Sequence, residues 1–265
     1  MSDLWTAPRI RALKGQGKIA CLTAADFFAA RVLDEAGLPM ILVGDSLGMT
    51  TLGHATTLPV TLADMLHHTA AVARGVKNAL VVTDLPFLTY QVSPAQALES
   101  AGRCLQAGAG AVKLEGGVIR ADTVRLLVEN GIPVLGHIGL LPQSVRGMGG
   151  YKVQGRTASD VERLLADAAA LEEAGCFATV VEGVPAETAQ RITAAIRIPT
   201  IGIGAGAGCD GQVLVLSDVL GLTPGSSPKF VKRYADLGAA MRQAVAAYRS
   251  DVEQGTFPGP EHTYR

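Results

Sequence analysis

The sequence predicts an α/β protein of one domain, a (β/α)8 barrel. Three observations carry this. Eight short runs rich in Val, Ile and Leu recur without strict polar alternation, as expected of parallel strands buried on both faces. Longer stretches with apolar residues at helical spacing separate most of them. A length of 265 residues suits one such barrel.

In chain order, the first strand is Lys18–Thr23, followed by a helix over Asp26–Ala36 that stops at Gly37. The second strand, Met40–Val43, is separated by an insertion (Leu47–Thr61) from a helix over Leu62–Arg74 that stops at Gly75. Ala79–Thr83 is the third strand, with a helix over Pro94–Ala107 ending at Gly108. Ala111–Leu114 is the fourth, and its helix, Ile119–Glu129, runs to Asn130-Gly131. Pro133–His137 is the fifth; a second insertion, Gly139–Thr157, precedes a helix over Ala158–Ala174 that stops at Gly175. Ala178–Val181, Thr200–Ile203 and Val213–Leu216 complete the set. Glycine just past each amphipathic segment is what a helix C-terminus favours.

An open doubly wound sheet is the alternative, but no GxGxxG follows the first strand. The Gly-rich segment comes seventh instead, so the barrel is preferred. No Ser/Pro/Gly linker lies in the middle of the chain, which predicts one domain over 1–265 with an extended tail at 251–265.

Composition excludes several roles. Lys plus Arg (23) nearly cancels Asp plus Glu (24), so no overall field recruits nucleic acid or an anionic membrane. No apolar run approaches the ~20 residues of a membrane span, and the opening MSDLWTAPRIRALKGQG has no signal-peptide core. Cys21, Cys104, Cys176 and Cys209 form no CxxC pair, which predicts buried thiols in a reducing cytoplasm and disfavours zinc. The 31 glycines well exceed the usual ~7%. They imply many turns, a few backbone-lined sites, or both.

The chemistry sits where the strands end. Strand two runs into Gly44-Asp45-Ser46, strand three into Asp84, and strand four carries Lys113 and ends at Glu115. Strand five ends at His137 and strand six at Glu182. In a barrel these ends share one mouth, where active sites are built. Carboxylates converging there repel one another unless a cation neutralises them, and an oxygen-rich set suits Mg2+ or another hard divalent ion. Lys113, inside an apolar strand, needs an anion. Glu182, desolvated on one side, suits a general base, although a salt-bridged rim carboxylate would fit the same spacing. His137 could bond a ligand or be a satisfied mouth histidine. His67-His68, on a helix face, is read as structural. GIGAGAGCDG (202–211) is a weak phosphate-loop signal without GK[ST]. GMGGYKVQG (147–155) is read as a lid, with Lys152 able to meet an acidic ligand, or as an ordinary loop.

Blocks spread over the chain carry a resemblance. They are GDSLGMTTLGHATTLPVTLADMLHHTAAVARG (44–75), VVTDLPFLTYQ (81–91), GAVKLEGG (110–117) and GHIGLLPQSV (136–145). GGYKVQG (149–155), VVEGVP (180–185), IGIGAGAGCDGQVLV (201–215) and SPKFVKRYADL (227–237) continue it in order. Together they resemble the ketopantoate (3-methyl-2-oxobutanoate) hydroxymethyltransferase family. The resemblance implies a cytoplasmic (β/α)8 barrel enzyme that forms large homo-oligomers, with decamers expected. It implies Mg2+, and transfer of a one-carbon unit from 5,10-methylenetetrahydrofolate to 3-methyl-2-oxobutanoate through a Mg-stabilised enolate. The product would be 2-dehydropantoate, on the route to pantothenate and coenzyme A. By motif, Asp45, Asp84 and Glu115 correspond to the metal-site acids. Ser46 and Lys113, alongside Asp45 and Asp84, correspond to groups that hold the keto acid, with His137 near the ligand. Glu182 corresponds to the proton acceptor. One departure is Ala25, where the family often has Tyr, which implies a different pocket shape. Gly183, beside the proposed base, is expected to loosen the backbone there.

Overall fold

Eight parallel strands close into a barrel in sequence order, with β8 pairing back onto β1. They are β1 (Ile19–Thr23), β2 (Met40–Val43), β3 (Leu80–Asp84), β4 (Ala111–Lys113), β5 (Val134–Gly139), β6 (Ala178–Glu182), β7 (Thr200–Ile203) and β8 (Gly211–Leu214). The computed structural model describes residues 4–223, 225 and 228–264. The first residue of the SPKFVKRYADL block and the last of the FPGPEHTYR tail lie outside the described residues. The chain divides into two compact units, Met1–Val215 and Leu216–Arg265, and the barrel lies in the first.

The helices of the first unit are α1 (Ala7–Arg11), α2 (Phe27–Glu35), α3 (Leu47–Thr50), α4 (Leu62–Gly75), α5 (Pro94–Gln106), α6 (Ala121–Glu129), α7 (Ala158–Glu173) and α8 (Ala186–Ala195). Polar caps set their starts: Thr61 and Thr157 open α4 and α7 in reciprocal boxes with Asp64 and Asp160. Four of the expected helix stops, Gly37, Gly108, Gly131 and Gly175, have positive φ. Gly75 does not. It is the last residue of α4, so close to α2 that a Cβ would lie 2.5 Å from the Phe27 carbonyl oxygen. Close helix packing, not a left-handed turn, requires glycine there.

Other differences from the sequence expectation are local. β8 begins at Gly211 rather than Val213, because a residue without a Cβ can approach the Ile19 carbonyl and start the pairing to β1. α8 is an unforeseen helix, and β7 returns to β8 through residues 204–210 with no helix at all. β5 continues two residues past His137, to Gly139.

Side chains alternate between the two faces of each strand. Ile19, Met40, Leu42, Leu80, Val82, Ala111, Leu135, Ala178, Val180, Ile201 and Val213 form one buried cluster, and Ala7 and Ile10 of α1 pack against it. Val112, Leu114, Val134, Ile138 and Val181 belong to a second cluster shared with α5, α6 and α7. Continuing the first parity toward the strand ends brings Asp84 after Leu80 and Val82, Lys113 after Ala111, His137 after Leu135, and Glu182 after Val180. The polar residues therefore form the last layer of the barrel interior.

In the second unit, α9 (Leu216–Val219) precedes α10 (Leu237–Gln254), which starts at an Asp236 cap and ends at left-handed Gly255. The helix thus runs four residues past Ser250, and the expected extended tail begins only at Gly255. A single 3-10 turn, Pro260–His262, interrupts it.

Candidate active site

The mouth of the barrel brings together Asp45, Asp84, Lys113, Glu115, His137 and Glu182. The first five are at most 5% exposed, and Glu182 is partly open, its side chain 16% exposed. Asp84 links two strands. Its Oδ2 accepts the Asp45 backbone N–H at 3.0 Å, and its Oδ1 lies 3.1 Å from Lys113 Nζ with no aligned hydrogen bond. Lys113 Nζ is also 3.4 Å from His137 Nδ1. His137 then bridges two acids: Nδ1 lies 3.6 Å from Glu115 Oε1, and Nε2 lies 3.2 Å from Glu182 Oε2 without hydrogen-bond alignment. Ser46 follows Asp45, half-buried, its Oγ 3.1 Å from where a Cβ on Gly44 would stand.

Four carboxylates face one ammonium, and their protonation reflects that imbalance. Burial, and then the charge of Asp84, push Asp45 up to about 7. Burial likewise holds Glu115 well above the usual carboxylate range, against the pull of Lys113. Burial works against the Lys113 charge, but Asp84, Glu115 and Asp45 outweigh it and keep the ammonium. Burial and the neighbouring Lys113 hold His137 below the usual imidazole range, so the ring is neutral near pH 7.

Sequence reasoning missed three residues here. Gln143, in a 3-10 turn (Pro142–Ser144), is buried and donates from Nε2 to Asp45 Oδ2 at 2.9 Å. Its backbone N–H donates to Glu115 Oε2 at 3.1 Å. Tyr90 is buried and its hydroxyl meets Gln143 Oε1 at 2.7 Å. Tyr151, in the loop after β5, is exposed, and its phenol is pushed up by partial burial and then by the charges of Asp45, Glu182 and Glu115. Neighbouring Lys152 is exposed.

The remaining sequence candidates have structural roles. His68 Nδ1 is 2.6 Å from the Ala25 carbonyl, and His67 packs edge-on against it. In the Gly-rich 202–211 segment, a Cβ on Gly206 would meet the Ala186 Cβ at 2.6 Å, so its glycines allow close packing on α8. Gly183 has φ +58° and abuts Leu140, so it makes a tight turn after Glu182 rather than loosening it. All four cysteines are buried and unpaired.

The donor set suits a hard divalent cation. Its atoms are carboxylate oxygens without sulfur, and Asp84 Oδ1 is buried with no hydrogen bond. Among the described residues, no three His, Cys, Asp or Glu side chains converge into a ready-made metal cage. Mg2+ requires less, because it keeps several waters and takes one or two carboxylates plus substrate oxygens. Among the described residues, no helix is long and apolar enough to cross a membrane.

Comparison with known proteins agrees with this geometry. Solved structures share the barrel at low identity. A phosphoenolpyruvate phosphomutase from Streptomyces platensis subsp. rosaceus has a TM-score of 0.62 at 17% identity, covering 98% of this chain and 92% of that one. A 2,3-dimethylmalate lyase of the PEP mutase/isocitrate lyase superfamily has a TM-score of 0.59 at 18% identity, covering 100% and 91%. Much nearer in sequence is the 3-methyl-2-oxobutanoate hydroxymethyltransferase of Chloroflexus aurantiacus, 59% identical over 97% of this chain and 91% of that protein. The enzyme of the same name from Syntrophus aciditrophicus is 56% identical over 98% and 96%. The ketopantoate hydroxymethyltransferase family profile matches residues 5–260, and the chain belongs to that enzyme family.

Proposed function

We propose that this enzyme transfers a hydroxymethyl group from 5,10-methylenetetrahydrofolate to 3-methyl-2-oxobutanoate, giving 2-dehydropantoate for pantothenate and coenzyme A synthesis. Beyond family membership, the observation that carries this is the layer of Asp84, Lys113, His137 and Glu182 closing the barrel interior beside Asp45 and Glu115.

Asp45, Asp84 and Glu115 would hold Mg2+ or a similar ion, partly through the waters such an ion keeps. When bound, such an ion would polarise the 2-oxo group of the substrate and acidify its C3–H. Lys113, an ammonium fixed by Asp84, offsets charge developing on the substrate oxygens, and Ser46 and His137 lie within the same pocket. Glu182, the most open of the acids, takes the C3 proton. His137 Nδ1 faces the Lys113 donor, so its own proton sits on Nε2, toward Glu182. The substrate enolate carbon then bonds the folate-borne methylene as one of its two C–N bonds opens, that nitrogen taking a proton, and water replaces the second C–N bond to release the hydroxymethyl product and tetrahydrofolate. Buried, unpaired thiols fit a cytoplasmic enzyme, and family resemblance makes the assembly a homodecamer.

Product identification with both substrates tests the reaction. In deuterated water, wild-type protein with Mg2+ should exchange C3–H of 3-methyl-2-oxobutanoate without folate. No exchange would overturn the enolate route, and normal exchange by Glu182→Gln would remove Glu182 as the base.

A further inference from the structure

We propose that Gln143 is a positioning residue that locks the acids of the cation site in one arrangement; this rests on the metal role just assigned to Asp45 and Glu115. The side chain is buried and every hydrogen-bonding position of its amide is used. Nε2 donates to Asp45 Oδ2 and to the Leu85 carbonyl, both at 2.9 Å. Oε1 accepts from the Tyr90 hydroxyl at 2.7 Å and from Gln91 Nε2 at 3.1 Å. The same residue's backbone N–H holds Glu115 Oε2. One residue from the loop after β5 therefore ties together the ends of β2, β3 and β4.

The direction of these bonds is forced. The Glu115 backbone N–H donates to the Tyr90 oxygen at 3.1 Å, and burial keeps that phenol protonated. The Tyr90 hydroxyl also has the Glu115 carbonyl within 3.4 Å, but its short bond, 2.7 Å, runs to Gln143 Oε1, which turns the amide NH2 toward Asp45. The Leu85 carbonyl independently demands a donor at the same atom. Donor direction thus runs from the backbone at one acid, through Tyr90 and Gln143, to the carboxylate of another. Met in place of Gln fills a similar volume but breaks that chain. Tyr90→Phe keeps the ring and removes the relay.

The test measures Mn2+ binding to the full-length protein by isothermal titration calorimetry without substrate, with thermal melts to establish folding. Gln143→Met should bind Mn2+ roughly 10–100-fold more weakly than wild type, the usual effect of losing an outer-shell partner. Tyr90→Phe should lose affinity several-fold, and the double variant should be no weaker than Gln143→Met alone, since both act through one chain. Wild-type Mn2+ affinity in Gln143→Met, whatever its melting temperature, overturns the proposal by reducing Gln143 to a loop staple. If Gln143→Met does not fold, Tyr90→Phe decides by the same criterion. Failure of the wild-type protein to bind Mn2+ would instead sink the metal assignment itself.

Discussion

Buried carboxylates sit at both ends of this barrel, and they are treated in opposite ways. At the strand N-termini, Asp34 accepts the backbone N–H groups of Lys77, Asn78 and Ala79 at 3.0, 2.9 and 2.7 Å. Asp210 takes Lys14 Nζ at 2.8 Å and the Thr200 N–H at 2.9 Å. Burial favours the neutral acid at each, but these donors outweigh it and hold both below the usual range. At the strand C-termini, four carboxylates share one lysine, and Asp45 and Glu115 go the other way. The difference teaches that burial alone does not decide a carboxylate's state. The supply of donors does. One end is satisfied and holds the fold together, while the other keeps carboxylates short of donors, as the proposed cation and substrate site would require.

The strongest way to break this contrast is at Lys113. Lys113→Met should lower kcat by roughly 10²–10³-fold, the loss typical of one charge-stabilising group, as steady-state kinetics would show. A mild effect would mean the lysine only balances Asp84. Next is the satisfied end. Asp34→Ala removes the acceptor of three backbone N–H groups, that of Ala79 buried and those of Lys77 and Asn78 partly so, and should cost about 3 kcal/mol in urea unfolding, with kcat unchanged. A loss of kcat without a loss of stability would dissolve the distinction between the two ends.

The two ends should also separate by pH. Asp45 titrates near 7 in the folded chain but near 3.9 unfolded. The folded state therefore holds a proton that the unfolded chain releases, and this contribution to stability is lost as pH rises from about 4 toward 7. Asp34 and Asp210, shifted downward, contribute fully above about pH 4 and lose that contribution only in acid. Without added metal, the melting temperature should fall between pH 5.5 and pH 8. Mg2+ should restore more at pH 8, by roughly 5 °C, the shift that ~2 kcal/mol gives at this size. An equal Mg2+ effect at both pH values would contradict the raised Asp45.

The smallest effect concerns strain. Among the described residues Leu88, in the loop after β3 that carries Tyr90, is the one non-glycine residue with positive φ (67°). Leu88→Gly should raise stability in urea by at most ~1 kcal/mol and leave kcat unchanged. A decrease would show that the exposed leucine contributes contacts that offset its backbone strain.

Much of this was legible in the chain. Buried parallel strands announce themselves as Val/Ile/Leu runs, and a charge at the end of such a run, as at Asp84, Lys113 and Glu182, has few places to go but the barrel mouth. Helix stops were legible at Gly37, Gly108, Gly131 and Gly175, where the backbone turns left-handed, missed at left-handed Gly255, and misread at Gly75, where the constraint comes from α2. Gln143 and Tyr90 were invisible because they are neutral residues in irregular segments. Their partners lie far along the chain, 98 residues from Gln143 to Asp45 and 53 from Tyr90 to Gln143.

The sequence by itself determined which strands end in acids, because hydrophobic runs and the charges that close them are local properties. Only the tertiary structure decided which carboxylates are satisfied, which hold protons, and in which direction the Tyr90–Gln143 chain donates. Those depend on burial and on donors brought together from across the barrel, and no local pattern records either.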